Sequence, residues 1–183
     1  VSPRADAARN RAKVLDAAQQ VFTADGLGAS TEQIARRAGV GVGTVFRHFP
    51  TKEALLSAVL AARLETLADD AERLADAADP GAALFDFLTR TVEASSLKIA
   101  YADALERAGV GTDQVVAPVR ERVTRAVGTL LDRAQRAGAV RDDVAVGQVF
   151  AFIHGASRAV PRIADDALRS ATLRMMFDGL RPR

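Results

Sequence analysis

The stretch IARRAGVGVGTVFRHFPTKEAL, Ile34 to Leu55, holds little side-chain bulk in its middle and a dense set of hydrogen-bonding groups at its end. Ile34, Ala35 and Ala38 recur at helical spacing with Arg36 and Arg37 on the opposite side, and Ser30 followed by Gln33 is a capping-box pattern that opens this helix. Gly39-Val40 leaves room only for a tight turn. Helical spacing resumes at Val42, with Val45 and Phe49 on one side, until Pro50 stops it and Thr51 is placed to cap the next helix. Two short helices joined by such a turn form the arrangement in which the first braces the second inside the DNA major groove.

That reading gives the small residues a use. Gly41, Gly43 and Thr44 at the start of the second helix let its backbone approach a duplex closely, where N–H groups and a hydroxyl meet phosphate or a base edge. Arg47, His48 and Lys52 follow where the helix leaves the groove, suited to phosphate contacts that position a protein without reading sequence. Arg36 is either a solvated helix face or a further phosphate contact, and Arg4, Arg9 and Arg11 are either a soluble terminus or an arm reaching DNA.

Composition bounds the rest. The chain has 183 residues, 49% hydrophobic and 26% charged, enough for a real core in one or two domains. Only 5% is aromatic and alanine recurs throughout, which favours close-packed helices over sheets, so the expected class is all-α with about nine helices. There is no cysteine, so disulfides and thiolate chemistry are excluded, and the two histidines lie far apart in sequence; no metal site and no cofactor are expected. The first residues are polar without an apolar signal core, and no apolar run is long enough for a membrane span, so the expected location is cytoplasmic with no membrane partner. Net charge is only +2, but residues 1–60 carry about +3 and the remainder about −1.

Outside the motif, the apolar pattern predicts helices at about 7–25 and 51–78, then, from a cap at Asp79-Pro80-Gly81, through residues 97–108 and 115–137 to 144–159 and a last helix opened by Asp165 or Asp166. Asp143 is the predicted cap of the helix beginning at Val144, and Pro118 marks either a first turn or a kink. No Gly-rich phosphate loop or Ser-His-Asp pattern is visible, which leaves an enzyme without support.

The segment IARRAGVGVGTVFRHFPTKEAL, preceded by VLDAAQQVFTADGLGAS, resembles the DNA-binding domain of the TetR (tetracycline-repressor-like) family of bacterial transcriptional regulators. The resemblance rests on Ala-Ala…Phe…Gly, Ile-Ala…Ala-Gly-Val, Gly-Thr-hydrophobic-aromatic and His-Phe-Pro-x-Lys-x-x-Leu in that order over about fifty residues. It implies residues 1–52 as a helix-turn-helix domain and 53–183 as a helical ligand-binding and dimerisation domain. It also implies a homodimeric repressor on a palindromic, double-stranded operator, released by a small apolar or amphipathic effector of unknown identity. Ser30, Arg36, Gly41, Val42, Gly43, Thr44, Phe46, Arg47, His48 and Lys52 are the expected DNA-binding set. Two positions depart from the family: Phe46 stands where a tyrosine is usual, and Gly41-Val42 where Ser-Lys often begin the second helix. Val42 could instead touch a thymine methyl.

Beyond residue 60 the signal is generic. Phe85, Leu88, Leu97, Tyr101, Leu105, Phe150 and His154 either line an effector cavity, with Tyr101 as its polar handle, or are plain core. Val146, Val149 and Ile153 with Leu168, Ala171, Met175 and Met176 give two adjacent amphipathic helices, the pair that dimerises in the family. A DNA-bound dimer with a filled core, answering to a protein partner or to nothing, stays open as the alternative.

Overall fold

A computed structural model describes residues 3–111 and 113–182. Every regular element among them is helical: α1 (Pro3–Asp25), α2 (Thr31–Ala38), α3 (Val42–His48), α4 (Lys52–Ala75), α5 (Pro80–Glu93), α6 (Ser95–Arg107), α7 (Asp113–Arg136), α8 (Val146–Ala159) and α9 (Asp166–Asp178), with a 3-10 turn at Val160–Arg162 after α8. The chain divides into two compact units, residues 1–62 with 100–116, and residues 63–99 with 117–183.

In the first unit, α1, α2 and α3 pack on one another around Val14, Ala18 and Phe22 of α1, Ile34 and Ala35 of α2, and Val45 of α3. Leu55, Leu56 and Val59 from the start of α4 are buried as well. Local chemistry fixes the element ends. The Ser30 hydroxyl accepts from the Gln33 N–H at 3.2 Å while Gln33 Oε1 accepts from the Ser30 N–H at 2.7 Å, so two otherwise orphaned donors are satisfied reciprocally. Gly39 closes α2 at φ +67°, a left-handed conformation that a side chain would strain, and Val40 N–H returns to the Ala35 carbonyl at 3.1 Å. The Thr51 hydroxyl accepts from Ala54 N–H at 3.1 Å, capping α4 as expected. Tyr101, on the part of α6 that belongs to this unit, meets Phe22 edge to face at 5.9 Å.

The second unit has its own core, with Leu84, Leu88 and Val92 of α5 against Val127 and Leu130 of α7, Val149 and Ile153 of α8, and Phe177 of α9. Phe177 also meets the rings of Phe85 and Phe152, with centroids at 5.4 and 5.8 Å. Asp79 caps α5 by accepting from Ala82 N–H at 2.9 Å, and a Cβ at Gly81 would lie 2.4 Å from that of Ala139, so only glycine permits this close approach.

Two sequence expectations, the start of the first helix and the cap of the eighth, are corrected, and of the two alternatives at Pro118 the first turn is dropped. The first helix starts at Pro3 rather than near residue 7, so the N-terminal basic residues ride on helix instead of an extended arm. Asp143 does not cap α8; it pairs with Arg141, and the helix opens at Ala145, whose N–H donates to Gln148 Oε1 at 2.8 Å. Pro118 lies inside α7, past its first turn. Asp165, by contrast, caps α9 through Leu168 N–H at 2.8 Å.

Candidate nucleic-acid interface

Helix α3 turns Val45 and, just beyond its end, Phe49 into the first unit and leaves the opposite side open. Gly41, Gly43, Phe46 and Arg47 are exposed, and Val42, Thr44 and His48 are half-buried. A Cβ added at Gly41 or at Gly43 would meet no atom of the chain within 4 Å, so their lack of side chain serves nothing inside the protein. What they keep clear is the approach to the backbone from outside.

The cations around this face fall into two groups. Lys52 donates from Nζ to the Ala29 carbonyl at 3.0 Å, tying the start of α4 to the loop before α2. Arg37 donates from Nε to Gln20 Oε1 on α1 at 2.8 Å, Arg9 pairs with Asp6, and the Arg11 guanidinium stacks 5.2 Å above the ring of Phe49. Arg36 and Arg47 have no hydrogen-bond or ion-pair partner among the described residues, and both are exposed. Glu32, in the first turn of α2, has its pKa lowered by backbone hydrogen bonding and by Ser30, so an anion remains at that helix start at neutral pH. The Arg4 side chain lies outside the described residues.

Of the ten expected DNA-binding residues, Gly41, Val42, Gly43, Thr44, Phe46, Arg47 and His48 are brought together along α3. Arg36 lies on the outer side of the bracing helix. Ser30 and Lys52 already hold intramolecular bonds, the first as a cap and the second as a brace. This is a helix-turn-helix whose second helix has an open, small-residue face and an uncommitted Arg47, with a further uncommitted arginine, Arg36, on the first, the arrangement that suits a helix set on phosphates and presented to base edges.

Comparison with known proteins agrees with this geometry. Residues 14–59 match the family described as "Bacterial regulatory proteins, tetR family", and residues 79–182 match "Transcriptional regulator SbtR-like, C-terminal domain". The chain belongs to the TetR family of transcriptional regulators. A TetR regulatory protein from Mycobacterium vanbaalenii is 40% identical with a TM-score of 0.78, over 99% of this chain and 100% of that one. The regulator SCO0520 from Streptomyces coelicolor is 35% identical with a TM-score of 0.76, over 94% and 98% respectively. The regulator SrpR of Pseudomonas putida is 47% identical over 64 residues, 34% of this chain and 30% of that protein, so the chain matches about a third of this relative's length. The protein is a DNA-binding TetR-type regulator and not an enzyme.

The residues expected to hold an effector are divided between the two units along the chain. Tyr101 and Leu105 are buried in the first unit, Leu88 is buried in the second, and Phe85 and Phe150 pack half-buried against that second core. Leu97 is half-buried in the second unit, and His154 stands exposed on α8, where Nε2 accepts from Arg158 Nε at 3.3 Å. A groove of about 310 Å³ in the second unit is lined by Glu93, Ser96, Val160, Pro161 and Arg169, none of them in the expected set.

Lys98, which sequence reasoning passed over, is a half-buried cation on α6 whose pKa burial alone lowers. Among the described residues no carboxylate pairs with it. Nearby in the chain, the Ser95 hydroxyl donates to the Val92 carbonyl at 2.6 Å and to the Ser157 carbonyl at 3.3 Å, which joins the α5–α6 corner to α8. Among the described residues the buried side-chain hydroxyls of Thr91 and Ser157 have no hydrogen-bond partner.

The residues expected at a dimer interface also separate. Val149 and Ile153 are buried in the protomer's own core and cannot face a partner; Val146 and Met176 pack half-buried against that core. Leu168, Ala171 and Met175 are exposed on α9, Leu168 by 58% and Met175 by 70%. The exposed side of α8 carries Gly147, Ala151, His154 and Gly155. No described helix is long and apolar enough to cross a membrane.

Proposed function

We propose that this regulator is a homodimeric repressor that sits on a roughly palindromic operator in the cytoplasm and leaves it when a small amphipathic effector binds the helical C-terminal domain. The observation that carries the DNA half is the open face of α3 with Arg47 exposed and unpaired on the same helix. One such helix reads too few base pairs for useful specificity, whereas a two-fold pair reads two half-sites about one helical turn apart. Leu168, Ala171 and Met175 supply exposed apolar area, and the small residues of α8 permit close helix approach, which together suit a helical interface between two copies. Lys98, a half-buried cation on α6 that no carboxylate pairs with among the described residues, supports an effector whose polar end is anionic.

The test joins three measurements. Footprinting of the DNA beside the protein's own gene is expected to protect two symmetric half-sites, and sedimentation is expected to give a dimer that Met175→Glu converts to monomer. Decanoate is expected to release the operator duplex more readily than decanol. The closed packing of Leu84, Leu88, Val127 and Leu130 favours a second reading, control by a protein partner or by nothing, and indifference of the complex to small molecules of either kind would decide for it.

A further inference from the structure

Among the described residues the large apolar side chains left exposed are Phe46, Leu168 and Met175, and only Phe46 belongs to the DNA-binding unit. It is 46% exposed on α3 and has no aromatic or cationic partner among the described residues, unlike Phe22, Phe49, Phe85, Phe152 and Phe177. Val42, one helical turn earlier and half-buried, lies on the same side, so an apolar edge runs along the recognition helix. A phenyl ring has no atom to offer a phosphate oxygen. In the major groove the apolar feature that a base edge presents is the thymine 5-methyl, and no other base carries one. Gly43, three residues before Phe46, has open space where its side chain would be, which lets the helix settle far enough for a side chain of this length to reach the base edges. Arg47, next in sequence and unpaired, is free to hold the adjoining phosphate and so fix the register of the ring.

We propose that Phe46 reads the 5-methyl group of one thymine in each operator half-site, with Val42 extending the same apolar contact. The residue is then a base reader, and the operator carries a thymine, rather than any pyrimidine, at the position it meets. This rests on α3 lying in the major groove.

The experiment replaces each thymine of the footprinted operator in turn by uracil, which deletes the methyl and leaves base pairing intact. Binding is measured by fluorescence anisotropy for the wild type, Phe46→Ala, Phe46→Tyr and Val42→Ala. The expected result is one symmetric pair of positions at which uracil weakens wild-type binding about fourfold per half-site, the worth of one buried methyl, and at which Phe46→Ala no longer distinguishes thymine from uracil. A flat uracil scan in a protein that still footprints normally would overturn the proposal and leave DNA binding intact. So would a uracil effect that survives Phe46→Ala and vanishes in Val42→Ala. Tightening by Phe46→Tyr at every operator, with no methyl dependence, would place the ring against the backbone and also reject it. Absence of any footprint would instead sink the DNA reading on which the proposal rests. Thermal melts of the variants check that each remains folded.

Discussion

The two compact units of this protein carry similar charged residues, and the second pairs most of its arginines while the helix-turn-helix of the first leaves two exposed ones unpaired among the described residues. In the second, Arg73 pairs with Asp70, Arg90 with Asp86, Arg125 with Glu121, Arg169 with Asp166 and Arg181 with Asp178. Arg122 on α7 goes furthest, reaching Glu72, Asp69 and Glu65 on α4, and those carboxylates push its already high pKa further up. In the first unit, Arg36 and Arg47 are left without such partners at the face where α2 and α3 meet solvent. Exposed pairs of this kind each contribute only ~0–1 kcal/mol to stability, so their main effect is on the field. A guanidinium already held by a carboxylate offers little attraction to a phosphate, whereas an unpaired one offers nearly its whole charge. Arg136, Arg162 and Arg174 of the second unit are also exposed without such partners among the described residues. On the proposed reading, an unpaired cation on an open helix face, rather than an unpaired cation alone, marks a surface for nucleic acid.

The most severe way to break that contrast leaves charge alone and blocks approach. Gly43→Leu places a side chain where the chain itself has no atom within 4 Å of the new Cβ, so the fold accepts it, and the helical position gains up to ~1 kcal/mol over glycine. On DNA the same side chain holds the backbone of α3 away from the base edges. Operator affinity is expected to fall ~100-fold or more by anisotropy, with a melting temperature unchanged or raised. A variant that binds normally would show that α3 meets DNA by another face.

The charge contrast itself is tested next. Arg47→Ala is expected to weaken operator binding about tenfold and to reduce the slope of log K against log salt by about one, the signature of one lost phosphate contact. Arg73→Ala, which removes an equally exposed cation already paired with Asp70, is expected to leave both quantities unchanged. Equal effects from the two would mean that net charge, rather than pairing, governs binding.

Sequence made the architecture readable where the deciding forces are local. Ser30 with Gln33, Asp79 with Pro80, Thr51 and Asp165 all cap helices as expected, since a cap involves residues three or four apart. Asp143 failed because Arg141, two residues away, competes for the same carboxylate. The outward side of α8 was illegible for a different reason. Periodicity tells which residues of α8 are apolar, but Val149 and Ile153 satisfy the protomer's own core, and the exposed side mixes Gly147, Ala151 and Gly155 with Gln148, His154 and Arg158, which form no apolar stripe. The edge-to-face contact of Tyr101 with Phe22, 79 positions earlier, is likewise one that no local pattern encodes.

Lys52 shows the same limit within the motif. Its spacing from His48 marks a phosphate contact, while its Nζ bond to the carbonyl of Ala29 makes it a brace between the start of α4 and the loop before α2. An ammonium has three donors and can serve both. Lys52→Ala is therefore expected to lower the melting temperature by roughly 2–4 °C, the effect of losing ~1 kcal/mol in a chain of this length, and to flatten the salt slope by less than Arg47→Ala does. A full unit of slope lost with no change in melting would make Lys52 purely a phosphate contact.

Lys98 inverts the comparison, for it is a half-buried cation of the second unit that no carboxylate pairs with among the described residues. Burial lowers its pKa in the folded chain, so over the interval between that lowered value and the ordinary lysine value the unfolded chain binds more protons and stability rises with pH; below the interval the cost of a buried charge is present in full. Lys98→Met, which keeps the stem and removes the charge, is expected to raise the melting temperature at pH 7 by up to about 2–4 °C. The difference from the wild type should shrink as pH climbs toward the ordinary lysine value of about 10.4. If Lys98 holds the anionic end of an effector, the same variant should release operator equally with decanoate and decanol. A cation kept unpaired at a measurable cost in stability, and needed for that discrimination, would extend to the second unit the rule that marks the first. A variant no more stable than the wild type at pH 7 would show that Lys98 reaches solvent well enough to need no partner, and would confine the rule to the DNA-binding face.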